Sequence, residues 1–178
     1  MVRQQSVCLR RLALGRRREI VALNRFLANP RVTTEALIEG WSEATSAACA
    51  DMHVLALQDT SEFTFHTRDD DHRGLGKIGK GGGYGRLLHP MLGVDAETGA
   101  LVGLVTGSIW TRSGNVESPH SQRPLSQKET QRWLSTAEAA KPVLTKARMV
   151  TDVSDRESDI YARWAHVPHD NFHILTRA

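Results

Sequence analysis

Apolar residues change their spacing near residue 51. Before it, Ile20, Leu23, Phe26 and Leu27 recur at intervals of three and four, which makes one helical stripe. Asn29-Pro30 breaks that stripe. Thr33 or Thr34 is placed to cap a second helix carrying Ala36, Leu37, Trp41 and Ala44. Residues 16–50 are therefore predicted to be helical in two pieces, behind an irregular basic arm. After Asp51 the pattern is that of strands. Val54 to Leu57 is a short continuous apolar run, which suits a buried central strand. Phe63, Thr64 and Phe65 continue it as an alternating edge segment. The polar, glycine-rich stretch from Arg68 to Gly85 predicts a loop. Leu87–Val94 and Leu101–Trp110 predict two strands joined by a hairpin turn at 95–100.

The rest of the chain alternates helix and strand. Residues 112–125 read as an exposed loop. Ser126-Gln127-Lys128-Glu129 has the spacing of a capping box and opens a helix with Trp133, Leu134, Ala137 and Ala140, limited by Pro142. Lys146–Val153 predicts a strand. Ser154 or Asp155 then caps a helix running through Ile160, Tyr161 and Trp164, and Phe172–Thr176 is a last strand. This order predicts an α/β fold: a mixed sheet made of an antiparallel three-strand meander followed by α/β units, preceded by N-terminal helices. The expected division is a basic, helical region at 1–50 and a sheet-containing core at 51–178.

Composition narrows the class only a little. The chain has 178 residues, 40% hydrophobic and 24% charged, which is ordinary for a globular domain. A net charge of +3 is compatible with a nucleic-acid partner. Arg3, Arg10, Arg11, Arg16, Arg17 and Arg18 crowd the N-terminus, where acidic residues are scarce. Two cysteines, Cys8 and Cys49, form no disulfide framework, so a reducing cytoplasm is the default. No apolar stretch approaches the roughly 20 residues needed to span a bilayer.

The candidate chemistry lies in two aspartates. Asp59 follows the Val54–Leu57 run, and Asp155 follows the run that starts at Met149. Carboxylates brought together at neighbouring strand ends repel one another, and a divalent cation relieves that repulsion. The pair suggests a metal-dependent phosphoryl-transfer site that lacks a third ligand. The plainer reading is that each carboxylate caps a turn. Gly76-Lys77-Ile78-Gly79-Lys80-Gly81 lacks the Walker spacing and precedes a strand, so it does not read as a nucleotide loop. Lys77 and Lys80 are candidates for contact with DNA phosphates, as are Arg16, Arg17 and Arg18. His66, Asp69, Asp70, Asp71 and His72 have no closed zinc spacing, and neither do His166, His169 and His173.

Several segments resemble the bacterial DDE transposases of the insertion-sequence four group, which includes the Tn-five-type transposase. Arg25-Phe26-Leu27-Ala28-Asn29-Pro30-Arg31-Val32 is similar to a segment of that family's N-terminal helical region. Leu57-Gln58-Asp59-Thr60-Ser61 resembles its first-aspartate strand, and Leu75-Gly76-Lys77-Ile78-Gly79 the loop that follows. Trp110 resembles a tryptophan-containing turn, and Asp155-Arg156-Glu157-Ser158-Asp159-Ile160 the second-aspartate motif. The resemblance covers about residues 19–178. It implies a ribonuclease-H-like fold, with Asp59 and Asp155 as catalytic ligands of Mg²⁺ or Mn²⁺ and with Arg156 and Glu157 beside them. It also implies strand cleavage and transfer on double-stranded DNA at transposon ends, a transposase homodimer, and a nucleoid-associated place in the bacterial cytoplasm. The family's third ligand is a glutamate on a later helix, and no segment of this sequence matches it. The expectation is a partial catalytic core, inactive alone, with its metal weakly held and an apolar sheet face bare beside the two aspartate strands. The alternatives are a non-catalytic remnant that binds DNA or transposase, or an unrelated α/β domain whose aspartates are structural.

Overall fold

The computed structural model describes residues 8–65, 74–79, 83–112 and 129–177. The chain forms two compact units, Met1–Leu37 and Ile38–Ala178. In the first, helix α1 (Leu9–Leu12) is followed by α2 (Arg17–Leu27), with Leu14 and Gly15 both at positive φ in the turn between them. The next helix, α3 (Thr34–Ala48), carries the unit boundary within it. Of the two threonines expected to cap it, Thr33 does so: its Oγ1 accepts from the Ala36 amide at 3.1 Å.

The second unit is an α/β structure built on a mixed, open, seven-stranded sheet. Its strands are β1 (His53–Gln58), β2 (Ser61–Thr64), β3 (Gly76–Ile78), β4 (Gly83–Asp95), β5 (Leu101–Trp110), β6 (Met149–Ser154) and β7 (Phe172–Thr176). The central path runs β2-β4-β1-β6-β7, with β3 and β5 on the other edge of β4. β4 pairs antiparallel with β1 and β5, as the expected meander requires. β1–β6 and β6–β7 are parallel, linked through α4 (Gln131–Val143) and α5 (Tyr161–His166).

β1 and β2 lie along β4 in one register. Gln58 faces Met91 and Ser61 faces Leu88, so residues 59 and 60 fall level with Pro90 and His89. The ladder is interrupted there. Pro90 has no amide hydrogen to give to either neighbour, and a proline inside a sheet marks such a gap. Asp59 therefore sits at a break in an otherwise continuous strand.

One face of the sheet is covered. Val54, Ala56, Met91, Val105, Val150 and Phe172 form a single buried cluster with Cys49, Ala137, Ala140 and Leu144. Complete burial of a side chain such as Met91 is worth roughly 1.5–3 kcal/mol relative to exposure. α3 is pinned to β5 by Ser42 Oγ donating to the Val105 carbonyl at 2.6 Å and Thr45 Oγ1 to the Leu104 carbonyl at 2.7 Å. Gly103 permits this approach, because a Cβ there would collide with Thr45 Oγ1.

The opposite face is open beside the aspartate strands. The pairing registers put Leu104, Leu92, Leu57, Val153 and Leu175 in one row across five strands. Leu57, Leu92 and Leu175 are 36%, 37% and 57% exposed.

Several expected elements differ. Gly76–Ile78 is a strand rather than loop, paired with Gly83–Gly85. The helix expected from Ser154 or Asp155 through Trp164 is broken: a single 3-10 turn, Arg156–Ser158, precedes the short α5. The 3-10 turn ends at Asp159, and Ile160 is extended, which separates the two pieces. The strand expected from Lys146 begins at Met149. α4 begins at Gln131, and residues 126–128 of the expected capping box lie outside the described residues.

Candidate metal centre

β1 and β6 are parallel neighbours, with Leu55 facing Thr151 and Leu57 facing Val153. Carrying that register two residues further brings Asp59 level with Asp155. Adjacent strands lie about 4.8 Å apart, so residues 59 and 155 take neighbouring backbone positions just past the carboxyl ends of β1 and β6. Both residues are exposed. Asp59 Oδ1 accepts from the Thr60 amide at 2.6 Å, and Asp155 Oδ1 accepts from the Glu157 amide at 2.9 Å. Each backbone contact holds one carboxylate oxygen and leaves Oδ2 without a hydrogen bond among the described residues. Two hard oxygen donors on adjacent strand ends are the donor type that Mg²⁺ and Mn²⁺ take. Among the described residues no group of three or more His, Cys, Asp and Glu side chains is arranged to hold an ion.

Beneath these aspartates the covered face turns polar. Val54 and Ala56 are followed, two residues on, by Gln58; Val150 is followed by Asp152 and Ser154; Met91 is preceded by His89. All are buried. Gln58 Nε2 donates to both oxygens of Asp152, at 2.7 and 2.9 Å. Its Oε1 is thus left as acceptor for His89 Nε2 at 3.1 Å, which makes Nε2 the protonated nitrogen. Nδ1 is then an acceptor, and the Thr60 hydroxyl donates to it at 2.8 Å. Thr60 Oγ1 in turn accepts from Arg132 Nε at 2.8 Å. The hydrogen bonds run in one sense from Arg132 through Thr60, His89 and Gln58 to Asp152. This chain ties the two residues flanking Asp59 to the strand that carries Asp155.

The far end is an ion pair. Arg163 NH2 lies 2.8 Å from Asp152 Oδ2, both side chains fully buried, while Arg163 NH1 donates to Thr176 Oγ1 at 2.6 Å and to Ser158 Oγ at 3.1 Å. Burial pushes the Asp152 carboxyl up, and the Arg163 charge and the Gln58 hydrogen bonds oppose it. Burial, helped by the nearby Arg132 charge, pulls His89 down to about 4, so the imidazole is neutral at physiological pH. Its ring meets the edge of Trp133 at a centroid distance of 4.6 Å.

At the near end Arg132 is largely buried beside two aromatic rings, 5.9 Å from the Trp110 centroid and 5.4 Å from that of Trp133. Its NH1 donates to the Glu129 carbonyl at 2.8 Å, and its NH2 reaches Glu157 Oε2 at 3.4 Å. Burial draws its pKa down, against the opposing charges of Glu129, Glu157 and Asp59. Beside it Arg112 grips Glu129 through Nε at 2.6 Å and NH2 at 2.9 Å, so the residues bounding 113–128 hold each other.

Of the residues singled out in the sequence, Asp59 and Asp155 follow the paired ends of β1 and β6, and Arg156 and Glu157 are exposed in the 3-10 turn after Asp155. Lys77 is exposed on β3, and Lys80 lies outside the described residues. Arg16, Arg17 and Arg18 are exposed in the other unit; Arg16 pairs with Glu19 at 2.8 Å, and Arg17 and Arg18 share a surface with Arg25. His169 pairs with the adjacent Asp170 at 3.0 Å, and His66 to His72 are outside the described residues. Trp164 is 45% exposed, and its Nε1 donates to Asp159 Oδ1 at 2.9 Å. Gln58, His89, Asp152, Arg163 and Arg132 were not singled out. For Gln58, His89 and Asp152 the signal is a polar residue at the buried phase of an apolar strand, as in Val54-x-Ala56-x-Gln58; Arg132 and Arg163 lie on helices and do not carry it. No helix among the described residues is long and apolar enough to cross a membrane. No family model matches the chain.

Proposed function

We propose that this chain is part of a DDE transposase catalytic core with a ribonuclease-H-like fold, and that Asp59 and Asp155 together hold a divalent cation at the carboxyl end of the sheet. The observation that carries the reading is the β1–β6 register, which levels the two aspartates on adjacent parallel strands. In the resembling transposases such ions activate a water or a 3′-hydroxyl and stabilise the leaving oxygen of a DNA phosphodiester. Here the protein contributes the two carboxylates, each with one oxygen already fixed by a backbone amide. Two ligands hold Mg²⁺ weakly, since ligand number and charge set affinity. The chain alone is therefore expected to bind DNA without cutting it. Double-stranded DNA is the partner, with Arg16, Arg17, Arg18, Lys77 and Lys80 as sequence-independent phosphate contacts, and a second transposase copy is the expected family context.

A second reading has its own support: both aspartates accept a nearby amide, Asp155 as the cap of the 3-10 turn, and a purely structural pair would look the same. Asparagine caps as well as aspartate but lacks the charge, so Asp59→Asn and Asp155→Asn separate the readings. Duplex DNA binding by the 178-residue chain should strengthen on adding Mn²⁺, and either variant should remove that gain without unfolding the chain. Binding that ignores Mn²⁺ in the wild type would leave the structural reading. Mg²⁺-dependent strand cleavage that is lost in Asp155→Asn would keep the family and show a third ligand that the expectation misses.

A further inference from the structure

We propose that Arg132 is the phosphate-binding residue of this site, presented by the hydrogen-bond chain through Thr60 and His89; the proposal rests on the phosphoryl-transfer reading above. A guanidinium has five N–H donors. One of Arg132's goes to Thr60, one to the Glu129 carbonyl and one, at a long 3.4 Å, to Glu157. The others have no hydrogen-bond partner among the described residues. Trp110 and Trp133 lie beside the group and Thr60 fixes its Nε, which leaves the NH2 edge toward Glu157 and the strand ends.

Among the described residues, the one contact on that edge is weak. Glu157's side chain is 63% exposed, against 15% for Arg132. An exposed carboxylate at 3.4 Å balances the charge without the short, two-pronged geometry that a guanidinium makes with its best partners. A phosphate offers that geometry. It would displace Glu157 and lie between Arg132 and a cation on Asp59, with each anionic oxygen facing a positive group. Glu157 is thus a placeholder that competes with phosphate.

The orientation of Arg132 depends on which nitrogen of His89 carries the proton. With Nε2–H given to Gln58, Nδ1 must accept, so the Thr60 hydroxyl points its proton inward and its lone pair toward Arg132. Arg132 is the binding residue; Thr60 and His89 act through it as positioning residues.

The test is a titration of the 178-residue chain with inorganic phosphate and with a 5′-phosphorylated dinucleotide, without divalent ions. The Arg132 Nε–H resonance is followed alongside the imidazole nitrogens of His89. The Arg132 signal should shift saturably with both probes. Arg132→Lys, which keeps the charge and loses the fork, should weaken binding about tenfold or more. Glu157→Gln should strengthen it, which a merely structural Glu157 would not. Thr60→Val should weaken binding and disturb the His89 tautomer signals, and Thr60→Ser should restore both. Unchanged phosphate affinity in Arg132→Lys, or shifts confined to Lys77 and the N-terminal arginines, would overturn the proposal. Mn²⁺ binding that requires Asp59 is measured separately. Its presence with no phosphate at Arg132 sinks this inference alone; its absence with phosphate bound at Arg132 sinks the metal reading alone.

Discussion

The covered face of the sheet has two halves that share strands but not chemistry. Toward one end Val54, Val150 and Phe172 sit level with one another and pack beneath Cys49, Ala137 and Ala140. Toward the other, the same strands present Gln58, Asp152, Ser154 and Thr176, with His89 and Thr60 beyond them. The apolar half needs only volume and shape, and it supplies most of the stability. The polar half is expensive to bury, and ion pairs like Asp152–Arg163 seldom repay their desolvation. What it supplies is direction, because the run from Arg132 through Thr60, His89 and Gln58 to Asp152 has one consistent assignment of donors and acceptors, whereas the buried Arg163 Nε and Trp133 Nε1 have no hydrogen-bond partner among the described residues. The polar half lies at the end of the strands where the proposed site would need fixed side chains more than stability.

The sharpest way to break this contrast is to leave one of its buried charges alone. Arg163→Met should destabilise the chain by about 3–5 kcal/mol, because Asp152 then stays buried and uncompensated. In the apolar half, Met91→Ala should cost about 2–5 kcal/mol through a cavity. Urea unfolding measures both. The halves should differ in kind: Met91→Ala should leave Arg132 and His89 resonances in place, while Arg163→Met should move them. Equal disturbance of the site by both variants would erase the division.

pH gives a smaller effect of known sign. His89 is held down to about 4 from an ordinary 6.5. Between those values the unfolded chain binds a proton that the folded chain refuses, so stability rises with pH across that window. Acidification from about 6.5 to below about 4 should remove roughly 3 kcal/mol of His89's contribution. Asp152, whose carboxyl burial pushes up, acts in the opposite sense. His89→Gln isolates the histidine: its stability profile should lose this slope. An unchanged slope would mean that the imidazole is not buried neutral.

Thr60→Val should have the least effect on stability, about 1 kcal/mol for the lost hydrogen bonds. A much larger loss would make Thr60 a structural residue of the polar half rather than its link to Arg132.

The apolar half was largely legible in the sequence, and the polar half was not. The Val54–Leu57 run, the strand before Asp155 and the last strand, Phe172–Thr176, all follow from local periodicity. So does the pairing of Thr33 with the start of α3. Glycine content hid β3, because Gly76, Gly83 and Gly85 read as loop, while a Cβ would collide with the Arg112 backbone at Gly76 and with the Phe63 carbonyl at Gly85. The break at Asp159–Ile160 was missed because Ser154 or Asp155 reads as a cap, Ile160, Tyr161 and Trp164 keep a helical spacing, and no proline or glycine lies between. Gln58, His89, Asp152 and Arg163 come from four separate segments, and only the sheet registers bring them together. The two aspartates stood out because each ends a strand. The arginine between them and the buried chain did not, because Arg132 looks from sequence like any exposed residue in a first helical turn.

The proposed sharing of one divalent ion by Asp59 and Asp155 can be mapped on the chain itself. Fe²⁺ in place of Mg²⁺, with ascorbate and peroxide, cuts the polypeptide beside the bound metal. A shared ion should give cuts at two places, next to residue 59 and next to residue 155, both suppressed by excess Mg²⁺ and both lost together in either Asp59→Asn or Asp155→Asn. Cutting near His166, His169 and His173 instead, or cuts at one aspartate that survive replacement of the other, would contradict it.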